Sequence, residues 1–215
     1  MTKIIIFDVG GTLVNSSYEY LWQLLHKNYN TTEKAKIYTT KFFKKEITYD
    51  NWVYNHLKLI TDNGKITQSE LTETIKNQTS ILKNTHKTLK RLKELNYKLA
   101  ILSGGLDLSL KAHNLEQYFD YISINKYFYK KIGWEYESTK FDIDKKIEGL
   151  NHIITKFNCE IKDTIFIGTN ENDLILFKTC KHSIALNSKS ELIQKSATKS
   201  ITTNDLNKIL NIIEK

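Results

Sequence analysis

The sequence predicts an α/β protein: a doubly wound, mostly parallel sheet with helices on both faces and a helical segment inserted after the first strand. Three observations carry this reading. Ile4-Ile5-Ile6-Phe7 is a continuous apolar run near the N-terminus, which suits a strand buried on both faces of a parallel sheet. Two more apolar runs, Lys98–Leu102 and Thr164–Ile167, also end in small or polar residues. Between and after them the apolar spacing is helical, and strand–helix alternation closes as a parallel sheet with right-handed crossovers.

The first run ends at Asp8, followed by Val9-Gly10-Gly11-Thr12-Leu13. Glycines here let the chain turn sharply and let a ligand approach the backbone. Open α/β sheets place their ligands at the carboxyl ends of strands. Taken alone, the same residues also suit a strand that stops at an Asp-Gly turn.

Residues 15–80 read as the helical insertion, with residues 1–14 and 81–215 forming the α/β core. Ser16 to Leu25 has apolar positions at helical spacing. Asn30-Thr31-Thr32-Glu33 is placed to cap a second helix carrying Ile37, Tyr38, Phe42 and Phe43. Trp52, Val53, Leu57 and Ile60 mark a third, and Thr67-Gln68-Ser69-Glu70 is a capping-box signature for a fourth. Asp62-Asn63-Gly64 signals the turn between them. Most of Trp22, Phe42, Phe43 and Trp52 are expected to form the insertion's own core, since aromatics at helical spacing usually pack inward.

From residue 81 the elements alternate. Leu89, Leu92 and Leu95 form one helix face leading into the Lys98–Leu102 strand. Leu108 to Tyr118 reads as a helix returning to a Tyr121–Ile124 strand, and the polar, aromatic stretch Lys126–Phe141 as a hairpin or loop excursion. A helix over 144–157, a strand over 164–167, a helix from about 171, a strand over Ser183–Leu186 and a last helix near 204–213 complete the chain.

Polar residues collect at the ends of these strands. The second apolar run closes in Ser103-Gly104-Gly105, and the third in Gly168-Thr169-Asn170-Glu171-Asn172-Asp173. Between them Lys146 opens a helix, 22 positions before Gly168. With Asp, Ser, Lys and Asp in this order, the chain resembles the haloacid dehalogenase superfamily of Asp-nucleophile hydrolases, and within it the phosphoserine phosphatase branch. The resemblance covers almost the whole chain. It implies a Rossmann-like core with a helical cap that covers the site and selects the substrate, a small anionic, phosphorylated molecule.

Residue by residue, the resemblance makes Asp8 the nucleophile, a carboxylate that forms a covalent intermediate. Ser103 and the backbone N–H groups of Gly104 and Gly105 would bind phosphate oxygens, with Thr12 and Asn172 also on the substrate. Lys146 would neutralise charge on the nucleophile and the transferring group; Lys145 and Lys140 are its rivals in the sequence. Asp173 would hold or activate water, or else serve only as a first-turn Asp that favours the helix dipole. Mg²⁺ would be held by Asp8, Asp173 and the backbone carbonyl of Gly10.

Two positions depart from the pattern. Family phosphatases carry a second Asp two residues after the nucleophile, where this chain has Gly10. Their fourth motif begins Gly-Asp, where this chain has Gly168-Thr169. The first missing Asp is the general acid that protonates the leaving alcohol, help worth about 10²–10⁴-fold in rate. The second is a carboxylate ligand of Mg²⁺, a hard cation that takes oxygen donors; Thr169 offers a neutral hydroxyl and Glu171 a possible replacement. Two alternatives therefore stand beside the phosphatase. One is a metal-independent, haloacid dehalogenase-like hydrolase attacking carbon, whose fourth motif Ser-x-Asn-x-x-Asp matches Asn170 and Asp173 but not Gly168. Those enzymes receive the halide on an Arg of the cap, and residues 15–80 contain none. The other is a non-catalytic protein that keeps a phosphate pocket.

Composition fits one globular unit. A chain of 215 residues with 40% hydrophobic content buries a proper core. No apolar stretch reaches the ~20 residues of a membrane span, and the N-terminus lacks the layout of a signal peptide, so a cytoplasmic setting is expected. Cys159 and Cys180 lack metal-ligand spacing and read as reduced thiols. The net charge of +8 is almost all lysine, Arg91 being the sole arginine. Its scatter reads as a solvated surface rather than a nucleic-acid site. The six histidines are spread singly and receive no role.

Overall fold

The structure, a computed structural model, describes residues 3–131, 133–141 and 143–214. Met1, Thr2, Ile132, Asp142 and Lys215 lie outside the described residues. Strand β1 (Ile4–Phe7) is the centre of a seven-stranded sheet. It pairs in parallel with β4 (Lys98–Leu106) on one side and β7 (Thr164–Gly168) on the other. Outward from β4 lie β5 (Tyr121–Lys130) and β6 (Gly133–Glu137); outward from β7 lie β8 (His182–Leu186) and β9 (Lys199–Ile201). All pairs are parallel except the β5–β6 hairpin, which occupies the stretch expected to make a hairpin or loop excursion.

Alternation along β1 sorts the core into two layers. Ile5 and Phe7 pack with Leu89 and Leu92 of α5 (Thr85–Glu94) and with Leu206, Ile209 and Leu210 near the C-terminus. Ile4 and Ile6 pack with Leu150 and Ile153 of α7 (Lys146–Phe157), Leu176 and Phe177 of α8 (Leu174–Thr179) and Ile193 of α9 (Glu191–Ser196). Every residue of β1 is fully buried, as a strand between two helical layers must be. The chain steps from β1 to β4 and β5, then returns to β7 beside β1, so the topological switch lies at β1's carboxyl end, where Asp8 sits.

A third cluster is helical. α1 (Leu21–Asn28), α2 (Thr32–Phe43), α3 (Tyr49–Ile60) and α4 (Gln68–Gln78) follow β1. Trp22, Leu25, Val53, Leu57, Leu71 and Ile75 pack together and onto Leu106, Leu108 and Tyr127 of the sheet side. At the base of this layer, β2 (Val14–Ser16) and β3 (Thr79–Ile81) form an antiparallel ribbon, so the chain leaves and returns side by side. Thr67 and Glu70 make the capping box. Thr31 does not cap α2 with its side chain; its hydroxyl is 2.7 Å from His26 Nδ1 instead. Phe43 is not core, being 69% exposed, whereas Trp22 is buried.

Several elements are shorter than their sequence patterns. α6 covers only Leu108–Ala112, because Asn114 takes a left-handed conformation (φ 54°) and a 3-10 turn follows. The last helix likewise begins as a 3-10 turn and leaves α10 (Leu210–Ile213). Without proline and with only 8 glycines, the chain uses Asn at many of its left-handed turns, among them Asn30, Asn84, Asn96, Asn158 and Asn187. Both cysteines are free thiols, Cys180 buried and Cys159 half-buried. Among the described residues no helix is long and apolar enough to cross a membrane.

Candidate active site

Asp8 continues the sheet ladder, its N–H bonding the Ile167 carbonyl at 3.0 Å, before the chain turns on Val9. Gly11 makes that turn at φ 78°, and a Cβ there would sit 3.3 Å from Thr169 Cγ2. The loop after β1 thus lies against the loop after β7. Asp8, Ser103, Lys146 and Asp173, from four different elements, are each at most 4% exposed.

Lys146 reaches this point because α7 lies close on β4. One turn after Lys146, a Cβ on Gly149 would come 2.6 Å from Leu102 Cδ1. The Lys146 ammonium donates to Asp173 Oδ1 at 2.8 Å and to the Leu102 carbonyl at 3.1 Å. Lys145 and Lys140 are exposed, so of the three candidates Lys146 is the one at the carboxylates.

The electrostatics follow from burial with one cation between two anions. Burial, then the charge of Asp173, lifts the Asp8 carboxyl to about 7, against the pull of Lys146, the Ser103 hydroxyl and the Val9 N–H. Burial works against the Lys146 charge, but Asp173 and Asp8 outweigh it and hold the ammonium above its ordinary range. Asp173 is raised by burial and opposed by Lys146. Asp173 Oδ2 and Asn172 Oδ1 are buried without a hydrogen-bond partner among the described residues.

Several of the oxygens that the family pattern offers to Mg²⁺ have other partners. The Gly10 carbonyl accepts a hydrogen bond from Asn170 Nδ2 at 3.1 Å. The Thr169 hydroxyl lies 2.9 Å from the Gly11 carbonyl, 2.8 Å from the Leu186 carbonyl and 2.8 Å from Thr12 Oγ1. Thr12 is therefore engaged with the β7 loop. Glu171 is held by the Ser190 hydroxyl at 2.6 Å, and Asp173 Oδ1 is taken by Lys146. Among the described residues no three His, Cys, Asp or Glu side chains gather as a metal site. Mg²⁺ needs near-octahedral oxygen donors, and this set, with two carboxylates, an ammonium on one of them and an amide on the backbone donor, does not fit it.

Beside these residues is a cavity of about 560 Å³, lined by Asn15, Tyr18, Glu19, Tyr20, Glu171 and Lys189 among others. Tyr20 lines this cavity; burial and Glu19 raise its phenol, and Asp173 and Glu171 act in the same direction. Neither Tyr20 nor Asn170 stood out in the sequence; the only signal was the alignment of Asn170 with the dehalogenase Asn. The histidines are not all single either. His26 Nε2 lies 2.6 Å from His56 Nδ1 inside the helical layer.

A buried Asp at a strand end, a buried Lys–Asp pair and a Ser-Gly-Gly loop thus meet at the switch point of a doubly wound sheet. The chain belongs to the haloacid dehalogenase-like hydrolase family, whose model matches residues 2–180. It is similar to the phosphoserine phosphatase of Methanocaldococcus jannaschii, 25% identical over 99% of this chain and 98% of that protein. It is also similar to the phosphoserine phosphatase of Saccharomyces cerevisiae, 26% identical over 98% of this chain and 67% of that one. Among solved structures, a phospho-aspartyl intermediate analogue of phosphoserine phosphatase has the same fold, with a TM-score of 0.72 at 24% identity, covering 98% of both chains.

Proposed function

We propose that the protein is a hydrolase of small phosphomonoesters that uses Asp8 as nucleophile and Lys146 in place of a metal, with the helical layer as its cap. The observation that carries this reading is the buried Lys146–Asp173 pair beside Asp8; the similarity to phosphoserine phosphatases supports the substrate class. An Asp8 oxygen attacks phosphorus, forming the Asp8 O–P bond as the ester P–O bond breaks, and the leaving alkoxide takes a proton from water. Lys146, the Ser103 hydroxyl and the Gly104 backbone N–H would carry the phosphoryl charge. Water then cleaves the acyl phosphate, with Asp173 orienting it, returning Asp8 and releasing inorganic phosphate. The cavity beside Tyr20 would receive the leaving group.

The bond from Asn170 to the Gly10 carbonyl favours a second reading, in which Asp8 attacks carbon, forms an ester and expels an anion without any metal. One experiment separates the two. Phosphate release from a panel of phosphomonoesters is measured with Mg²⁺ and with EDTA, beside Asp8→Asn. Turnover that survives EDTA and vanishes in Asp8→Asn is the expected result. No release above the Asp8→Asn background sinks the phosphatase reading. Loss of chloride from haloacids then supports the carbon-attacking one, and its absence leaves a binding protein.

A further inference from the structure

Between Leu102 and Leu106 strand β4 advances four residues while β5 advances two, from Ser123 to Asn125. Ser103, Gly104 and Gly105 therefore bulge out of the ladder, and a bulge leaves main-chain groups without strand partners. Buried carbonyls must then find other donors. Asn125, fully buried, is one: its Nδ2 lies 2.9 Å from the Gly104 carbonyl, from the Gly105 carbonyl and from Tyr49 Oη. Its Oδ1 accepts from the Thr139 N–H at 2.8 Å. The other is Trp22 of α1, whose indole N–H donates to the Gly104 carbonyl at 3.0 Å. Tyr49 of α3 closes the set, its hydroxyl 3.5 Å from where a Gly104 Cβ would stand.

The bulge in turn fixes Ser103. The Gly105 N–H donates to Ser103 Oγ at 3.2 Å; Ser103 stands two residues past Ile101, the parallel partner of Phe7 next to Asp8, and its hydroxyl acts to lower the Asp8 carboxyl. Two hydrogens of one amide serve three acceptors, one on the helical layer and two on the bulge, so their positions are tied together. We propose that Trp22, Tyr49 and Asn125 are positioning residues that couple the seating of the helical layer to the aim of Ser103 at Asp8. When α1 and α3 lift, the Gly104 carbonyl loses the Trp22 N–H and the Asn125 amide loses its Tyr49 acceptor, the bulge relaxes and Ser103 turns from the carboxylate. The catalytic meaning of this coupling rests on the phosphatase reading; the coupling itself does not.

The test uses the full chain and hydrogen–deuterium exchange at residues 103–106. Trp22→Phe removes the indole N–H but keeps a ring against Trp52, which it meets edge-on. Tyr49→Phe removes one oxygen and keeps the ring stack on Trp52. Trp52→Phe is the control, since its indole N–H goes to Thr39 within the layer. Exchange at 103–106 should rise about tenfold in the first two variants, remain as in the wild type in the control, and stay unchanged in β1 and β7. Orthophosphate affinity, read by titration calorimetry, should fall several-fold in the first two variants alone. Wild-type exchange in both Trp22→Phe and Tyr49→Phe, or an equal rise in Trp52→Phe, overturns the proposal. Exchange that rises as expected while no variant, the wild type included, binds orthophosphate upholds the coupling and sinks the phosphatase reading instead.

Discussion

The Lys146 ammonium lies 2.8 Å from Asp173 Oδ1, with neither side chain exposed to solvent. A buried ion pair is costly to form and costly to break, because each charge has given up water for its partner. Here the single cation serves two carboxylates, Asp173 directly and Asp8 at longer range. The cluster is therefore one negative charge in excess when both carboxylates are ionised, and it binds a proton more tightly than isolated carboxyls do.

Lys146→Met keeps most of the apolar volume and removes the charge. Breaking a buried pair from one side costs about 3–5 kcal/mol, so the urea midpoint at pH 8 should fall by an equivalent amount. The deficit should shrink towards pH 5, where the raised carboxyls take up protons and no longer need a counter-charge. An equal loss at both pH values would assign the effect to packing rather than charge.

Asp8→Asn should abolish turnover and stabilise the fold. Burial and Asp173 lift the Asp8 carboxyl to about 7 in the folded protein against an ordinary 3.8, so the folded state holds the proton that the unfolded chain releases. The penalty is absent below pH 3.8, grows as pH rises to 7, and is complete above it. At 1.36 kcal/mol per unit the limit is about 4 kcal/mol. Thermal melts of Asp8→Asn should match the wild type near pH 4 and lie above it at pH 8. If Asp8 is the nucleophile, wild-type turnover should rise with pH through about 7, since it must be ionised to attack.

Much of the sheet was legible because its signals are local. An apolar run ending at Asp8, Ser103 or Gly168 is visible without knowing its neighbours. What depended on meeting across the fold was not. Asn125 matters through a bulge in the adjacent strand, and Asn170 through the loop after β1. His26 and His56 meet only because α1 packs on α3. The Leu108–Tyr118 pattern is helical in period, yet left-handed Asn114 ends the helix early. Strand β9 and helix α9, at 3 and 6 residues, are too short for a periodicity to show.

The His26–His56 pair should make the helical layer acid-sensitive. Burial pushes His26 down to about 4 and His56, also facing His26, down to about 3. Both imidazoles are neutral when folded, whereas the unfolded chain protonates near 6.5. Stability is therefore lost as pH falls from about 6.5 towards 4, by up to about 3 kcal/mol for a shift like that of His26. His56→Gln should flatten this slope. The indoles of Trp22 and Trp52, 5.9 and 4.0 Å from the His56 ring, provide the fluorescence signal. An unchanged slope between pH 6.5 and 4.5 would mean that the acid sensitivity arises elsewhere.

Gly10→Asp tests the proposed phosphatase chemistry by placing a carboxyl where the family pattern expects a general acid. A Cβ at Gly10 would meet nothing within 4 Å, and Gly10 is not among the positive-φ glycines. The Asn170 bond to its carbonyl uses only the backbone and survives the substitution. The variant should therefore fold with near wild-type stability. Thr169→Asp should not, because it removes the hydroxyl from the Leu186 and Gly11 carbonyls, at a cost of about 1–3 kcal/mol. If Asp8 attacks phosphorus, an acid restored at position 10 should raise phosphomonoesterase kcat by at least tenfold, within the range such groups supply. The gain should be largest for poor leaving groups, which need the proton most. A Gly10→Asp variant that melts like the wild type but shows no gain on alkyl phosphates would mean that leaving-group protonation does not limit the proposed reaction.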